Sequence, residues 1–301
     1  MKIEWTPGRR RAALVGGWLL ATALVVVCAR TIDWRRAAGV LATAHPSWIV
    51  VAIVVNASIV PLTALFWIAL RSQTEEPVSF KIAFEIAATS IALMNTVPFG
   101  AGHASMVLLW IRRGNTTQRG ALSVLALDQL GEGLAKVALF LLVGLLAPVP
   151  TWMRAGITTA TLLVGALILG LGVASRWMSE LRIDRSLSRT AMALAWLAAT
   201  KVAEALAIVT AQRAFGIDVG ASGTLLVLAA ASLGSMIPIT PGNAGTYEAA
   251  VFVAYRHLGL APEQALSLAL VQHLSFVLPS VGVGYLYMSA QTVARSAIAS
   301  R

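Results

Sequence analysis

Two Pro/Gly clusters interrupt apolar stretches of this sequence, and polar residues gather at both. Pro98, Gly100, Gly102 and His103 form the first; Thr240, Pro241, Gly242, Asn243, Gly245, Thr246 and Glu248 form the second. Proline removes a helical donor and glycine costs about 1 kcal/mol against alanine, so a helix should stop at each cluster and restart after it. A half-helix restarting at Gly102 or Gly245 would present free N–H groups and a partial positive charge, the elements of an anion site. Thr240, Asn243 and Thr246 offer side-chain donors beside the second break. Glu248 falls in the first turn of the restarted helix, where it either caps the free amides or acts as a titratable group. His103 holds a comparable place after the first break.

A second set of ionisable residues lies inside long apolar runs. Asp128, Glu132 and Lys136 follow one another at i, i+4 and i+8 on one helical face, and Lys201 with Glu204 forms an i, i+3 pair on another. A charge at the bilayer centre costs from about 2.5 to over 10 kcal/mol, so these stripes should face the protein interior and pair there, or line a polar pathway. His273, six residues before Pro279, is a further candidate for this interior. No H-E-x-x-H pattern, acidic metal cluster or Walker-type phosphate loop occurs. Neither a metal, a cofactor nor an enzymatic activity is therefore expected.

The elements that must carry these residues are membrane helices. Hydrophobic residues make up 58% of the chain and charged ones 12%, against roughly 25% charged in a soluble domain. The mean hydropathy is +0.79. The net charge of +10 comes from Lys and Arg that punctuate apolar stretches, so they read as topology signals and not as a nucleic-acid surface. The single cysteine, Cys28, excludes an intramolecular disulfide.

Six stretches are long and apolar enough to cross: about 12–29, 47–70, 117–146, 155–173, 190–210 and 262–290. The first follows Arg9, Arg10 and Arg11 and is read as an uncleaved helix. The broken stretches, 80–111 and 221–257, have halves too short to span, since about 16 residues at 1.5 Å reach about 24 Å of a roughly 30 Å core. Each is read as a re-entrant hairpin, which is tolerated only where protein buries it or a cavity solvates it.

The two broken regions match each other. Pro98-x-x-Ala101-Gly102 aligns with Pro241-x-x-Ala244-Gly245, Arg113 and Arg256 each lie eleven residues beyond the glycine, and Ala121-Leu122-Ser123 aligns with Ala265-Leu266-Ser267 after one residue of slippage. The expected fold is all-α: one integral membrane domain over 1–301, with repeat 1 at 47–146, a linking helix at 155–173 and repeat 2 at 190–290. With a cytoplasmic N-terminus, fifteen Lys and Arg fall on the cytoplasmic side and six opposite, as the positive-inside bias requires. The odd linking helix then inverts the second repeat, a recurring transporter design.

The segment from Pro238 to Glu248 resembles the Pro-Gly-Gly-x-Gly-x-x-Glu signature of the lysylphosphatidylglycerol synthase transmembrane-region family, with Asn243 in place of a glycine. The first break is similar to that family's Pro-x-x-x-Gly-Glu-x-x-Arg motif through Pro98 and Gly102, with His103 and Met106 where the family has Glu and Arg. The resemblance covers about 40–290. It implies a flippase-like domain that handles a phospholipid, glycolipid, polyprenyl lipid or hopanoid lipid, with a lipid-synthesising enzyme as an expected partner. With Arg301 as the last residue, no soluble aminoacyl-transferase domain and no lysyl-lipid synthesis are expected. The alternatives are a secondary transporter of a small soluble anion and a non-transport role in envelope assembly.

The charge count places both termini on the cytoplasmic face of a cell membrane. In a C28A background, R119C should react with an impermeant maleimide only from the cytoplasmic side and R213C only from the other. Reversed labelling would overturn this orientation.

Overall fold

The computed structural model describes residues 34–71, 78–97, 100–147, 149–177, 187–236 and 240–299. The expected first helix at 12–29, together with Pro98 and Pro238, lies outside them. Among the described residues the chain is helical throughout: α1 (Trp34–Ala42), α2 (Pro46–Ala57), α3 (Ile59–Arg71), α4 (Phe80–Thr96), α5 (Ala101–Arg112), α6 (Gln118–Leu146), α7 (Thr151–Trp177), α8 (Leu187–Ala214), α9 (Gly220–Gly234), α10 (Thr246–His257) and α11 (Pro262–Ala299). Four segments are long and apolar enough to cross a membrane: Pro46–Arg71, Gln118–Leu146, Leu187–Ala214 and Pro262–Ala290. α7 fills the place of the linking helix.

The stretch expected as one helix over 47–70 is divided at Ser58 into α2 and α3. Pro61 explains the offset, because it has no N–H to give to the carbonyl one turn back. At the division the Ser58 hydroxyl donates to Val55 O at 2.6 Å. Pro279, by contrast, leaves α11 continuous. Hydroxyls on either side bond back to the helix, with Ser275 Oγ donating to Gln272 O at 2.9 Å and Ser280 Oγ to Phe276 O at 2.7 Å.

Both Pro/Gly clusters end helices where the sequence indicates. α4 and α5 pack on one another as one hairpin, and α9 and α10 as the other. Each closes on a glycine. A Cβ at Gly102 would lie 2.1 Å from the Met94 side chain, and one at Gly234 would lie 2.7 Å from Thr246 O. Small residues thus set the interhelical distance, as is usual where lipid provides no hydrophobic drive for association.

The packing repeats when the two units are exchanged. α4 lies against α11 and α9 against α6; α3 meets α4 and α8 meets α9; α5 meets α6 and α10 meets α11. The equivalent long segments, α2–α3 and α8, run antiparallel in contact. At one end His45 N donates to Ala214 O at 2.7 Å. Toward the other, Phe66 of α3 and Leu197 of α8 both approach Gly131 of α6. Antiparallel equivalents are what inversion of the repeat demands.

α11 crosses α4 at Gly284, where a Cβ would stand 2.3 Å from Ala92 Cβ and 2.4 Å from Ala88 O. Gly282, two residues earlier, has open space around it. G284A should therefore lower the thermal midpoint in detergent, consistent with an overpacking cost of about 1–3 kcal/mol. G282A should leave it within error, and equal midpoints for the two variants would contradict this crossing.

Candidate functional site

The second break is organised by its backbone. Pro241–Asn243 makes a single 3-10 turn, in which Gly242 (φ 59°) and Asn243 (φ 57°) both take the left-handed conformation. Asparagine tolerates that region better than other side-chain-bearing residues. Its presence where the signature has glycine is thereby explained. The turn reaches the first hairpin: a Cβ on Gly242 would sit 3.1 Å from Asn95 O at the end of α4. The two broken hairpins meet at this point.

Of the two readings of the α10 N-terminus, an anion site or an end capped by Glu248, the structure shows the cap. Glu248 Oε2 accepts the Gly245 N–H at 2.7 Å, so the protein's own carboxylate already occupies the helix end. The hydroxyl hydrogens of Thr240 and Thr246 are committed as well, to Ala244 O at 2.8 Å and Asn243 O at 3.0 Å. Neither hydroxyl is free to donate to a ligand. Asn243 keeps a buried Oδ1 without a hydrogen-bond partner.

α5 differs. Its N-cap is Gly100 (φ 72°), with no side-chain cap and no acid in the first turn. His103 stands there instead, its Nε2 3.2 Å from Gln129 Nε2. Met106, the other departure from the family motif, is fully buried in the core around α4.

From His103 a run of polar groups crosses the bundle. Gln129 donates to Asp128 Oδ2 at 3.0 Å, and the Trp67 indole donates to Asp128 Oδ1 at 2.7 Å. One turn further along α6, Glu132 pairs with Lys201 of α8 at 2.9 Å, and Lys201 also holds Glu204 at 2.9 Å. The partner of Glu132 is thus on another helix and is not Lys136, its neighbour on the same face. Gly131 permits this pairing, because Phe66 and Leu197 occupy the space a side chain there would fill. Among the described residues Lys136 has no ion-pair or hydrogen-bond partner, though it lies within electrostatic reach of His103 and Glu132.

The run continues to the second hairpin. Glu204 is within electrostatic reach of Tyr247, whose ring stacks on His273 with centroids 4.4 Å apart and planes at 21°. His273 Nδ1 meets Glu248 Oε1 at 2.7 Å, and its Nε2 meets Gly242 O at 2.8 Å. A buried relay of amides and phenols supports this end: Thr224 donates to Gln212, Gln212 to Tyr255, Tyr255 to Gln272 and Gln272 to Tyr247, at 2.9–3.2 Å. Of these relay residues the sequence reading singled out none, because it searched for ionisable groups and turn residues. Their signal was present as uncharged polar residues, Gln212 and Gln272, inside apolar helices.

These features define a polytopic helical membrane protein in which two broken hairpins meet across a polar seam. It belongs to the lysylphosphatidylglycerol synthase TM region family, whose model matches residues 13–284. No curated protein matches the chain at significant similarity.

Lys201 neutralises two partly buried carboxylates at once. K201M should strand both and lower the thermal midpoint in detergent clearly. K136M should change it little. A larger effect at Lys136 than at Lys201 would refute the pairing described.

Proposed function

We propose that this protein moves a lipid or lipid-linked amphiphile between the leaflets of a cell membrane. The observation that carries the reading is the polar seam itself, which runs from His103 on one broken hairpin to Glu248 on the other through an otherwise apolar bundle. Intramembrane ionisable groups are costly and mark substrate or ion pathways, and inverted halves meeting at broken helices supply the geometry of alternating access. A polar head group would travel along the seam while its chains stay in lipid. Around each hairpin these groups bond to one another, so passage requires the hairpins to part.

The seam holds acids and bases in alternation, which suits a polar head of mixed character. It suits a free soluble anion less, since Glu248 fills one of the two helix ends such a solute would use. The same reading makes the protein a transporter and not an enzyme, with a lipid-synthesising enzyme as an expected neighbour that supplies its cargo.

The test is head-group movement in proteoliposomes carrying fluorescent lipids of several head groups, with dithionite added outside. Quenching beyond about half of the signal is expected for at least one lipid, and Q129L and Y247F, which interrupt the seam at either end, should slow it several-fold. Quenching fixed at half for every lipid, together with uptake of a soluble anion, would establish the other transport reading.

A further inference from the structure

The bonding of His273 fixes how many protons it shares with Glu248. A carbonyl can only accept, so the contact with Gly242 O requires a proton on Nε2. Nδ1 faces Glu248 Oε1 at 2.7 Å, and two bare lone pairs at that distance would repel, so a second proton lies between them. The pair therefore carries no net charge in this arrangement, whether written as imidazolium with carboxylate or as imidazole with carboxylic acid.

We propose that Glu248 and His273 bind a proton that drives the transport cycle, and that this proton latches the second hairpin in place. The proposal rests on the transport reading above and names its coupling ion. With the proton in place, His273 joins α11 to the turn through Gly242, Glu248 joins α11 to α10, and the turn sits against Asn95 of the first hairpin. When the proton leaves for water, the pair becomes singly negative, and the one proton left on the His273 ring cannot serve both the carboxylate and the Gly242 carbonyl. One of the two bonds from α11, to Glu248 of α10 or to the turn, is then lost. The latch is present at low pH and released as pH rises.

The charged groups that face the pair are few. α10 contributes Tyr247 and, through Gln272, Tyr255; α8 contributes Glu204 and Lys201, which neutralise each other in part. α2 and α9 carry no ionisable side chain. Lys81 and Glu85 of α4 lie near its far end, about 15 Å or more along the helix from Asn95, and Glu85 is engaged by Arg113. α1, with Arg35, packs against the start of α11 near Glu263, again about 15 Å along the helix from His273.

E248Q separates the latch from its proton. A glutamine amide donates to neutral His273 Nδ1 while its oxygen accepts from Gly245, so the contacts persist without titration. Hydrogen exchange of the segment 240–250, corrected for intrinsic rates, should lose protection as pH rises from 5 to 9 in wild type and stay flat in E248Q. In proteoliposomes a proton gradient should accelerate wild-type lipid movement and leave the E248Q rate unchanged. Flat wild-type protection, or lipid movement indifferent to the gradient in wild type, would overturn the latch while leaving lipid transport standing. A titrating latch that drives uptake of a soluble solute and moves no lipid would support the proton site and sink the lipid reading.

Discussion

A bilayer offers no partner for a free N–H or C=O, and the architecture of this protein follows from that constraint. Once Pro241 and its neighbouring glycines end a helix at membrane depth, the exposed backbone must be satisfied by protein. Glu248 takes the Gly245 amide, His273 takes the Gly242 carbonyl, and Thr240 and Thr246 close the turn. Those bonds require α10 and α11 to lie side by side, which in turn draws Tyr247, Gln272 and Tyr255 into the same interior. The polar seam is thus the consequence of breaking a helix where water is absent. It is also the place where a polar head group would find company.

The two hairpins answer the same constraint differently. In the second, an acid in the first helical turn satisfies the break from within. The first has no such acid, and the chain leaves His103 at the equivalent point with Lys136 nearby. The repeat is therefore symmetric in its packing and asymmetric in its chemistry. The two breaks therefore differ in their surroundings, an end without a side-chain cap beside His103 at α5 and a carboxylate-capped end beside His273 at α10.

Much of this was legible in the sequence, for identifiable reasons. The breaks at Gly100–Gly102 and Pro241–Gly245 were visible because proline and glycine act locally, and the repeat because Pro, Gly and Arg kept their spacing across 143 residues. The long helices were set by apolar length alone. Partner choice was not legible. Glu132 and Lys136 look like a pair along one helix, yet Glu132 is held by Lys201, because the antiparallel contact of α2–α3 with α8 brings that lysine to α6 beside Gly131. Whether Glu248 was a cap or a titratable group also lay beyond sequence reasoning. The cap is shown by the Gly245 bond, and the contact of Glu248 with His273, a residue of the following helix, leaves no mark in their spacing.

The central claim is that a lipid head group passes along the seam between the hairpins. Its most direct test is photocrosslinking in membranes with a lipid carrying a diazirine in its head group, followed by mass spectrometric mapping of the adducts. The account predicts adducts on seam residues of α5, α6, α10 and α11, among them His103, Gln129 and Tyr247. Adducts confined to lipid-facing residues such as Leu145 and Leu162 would contradict it.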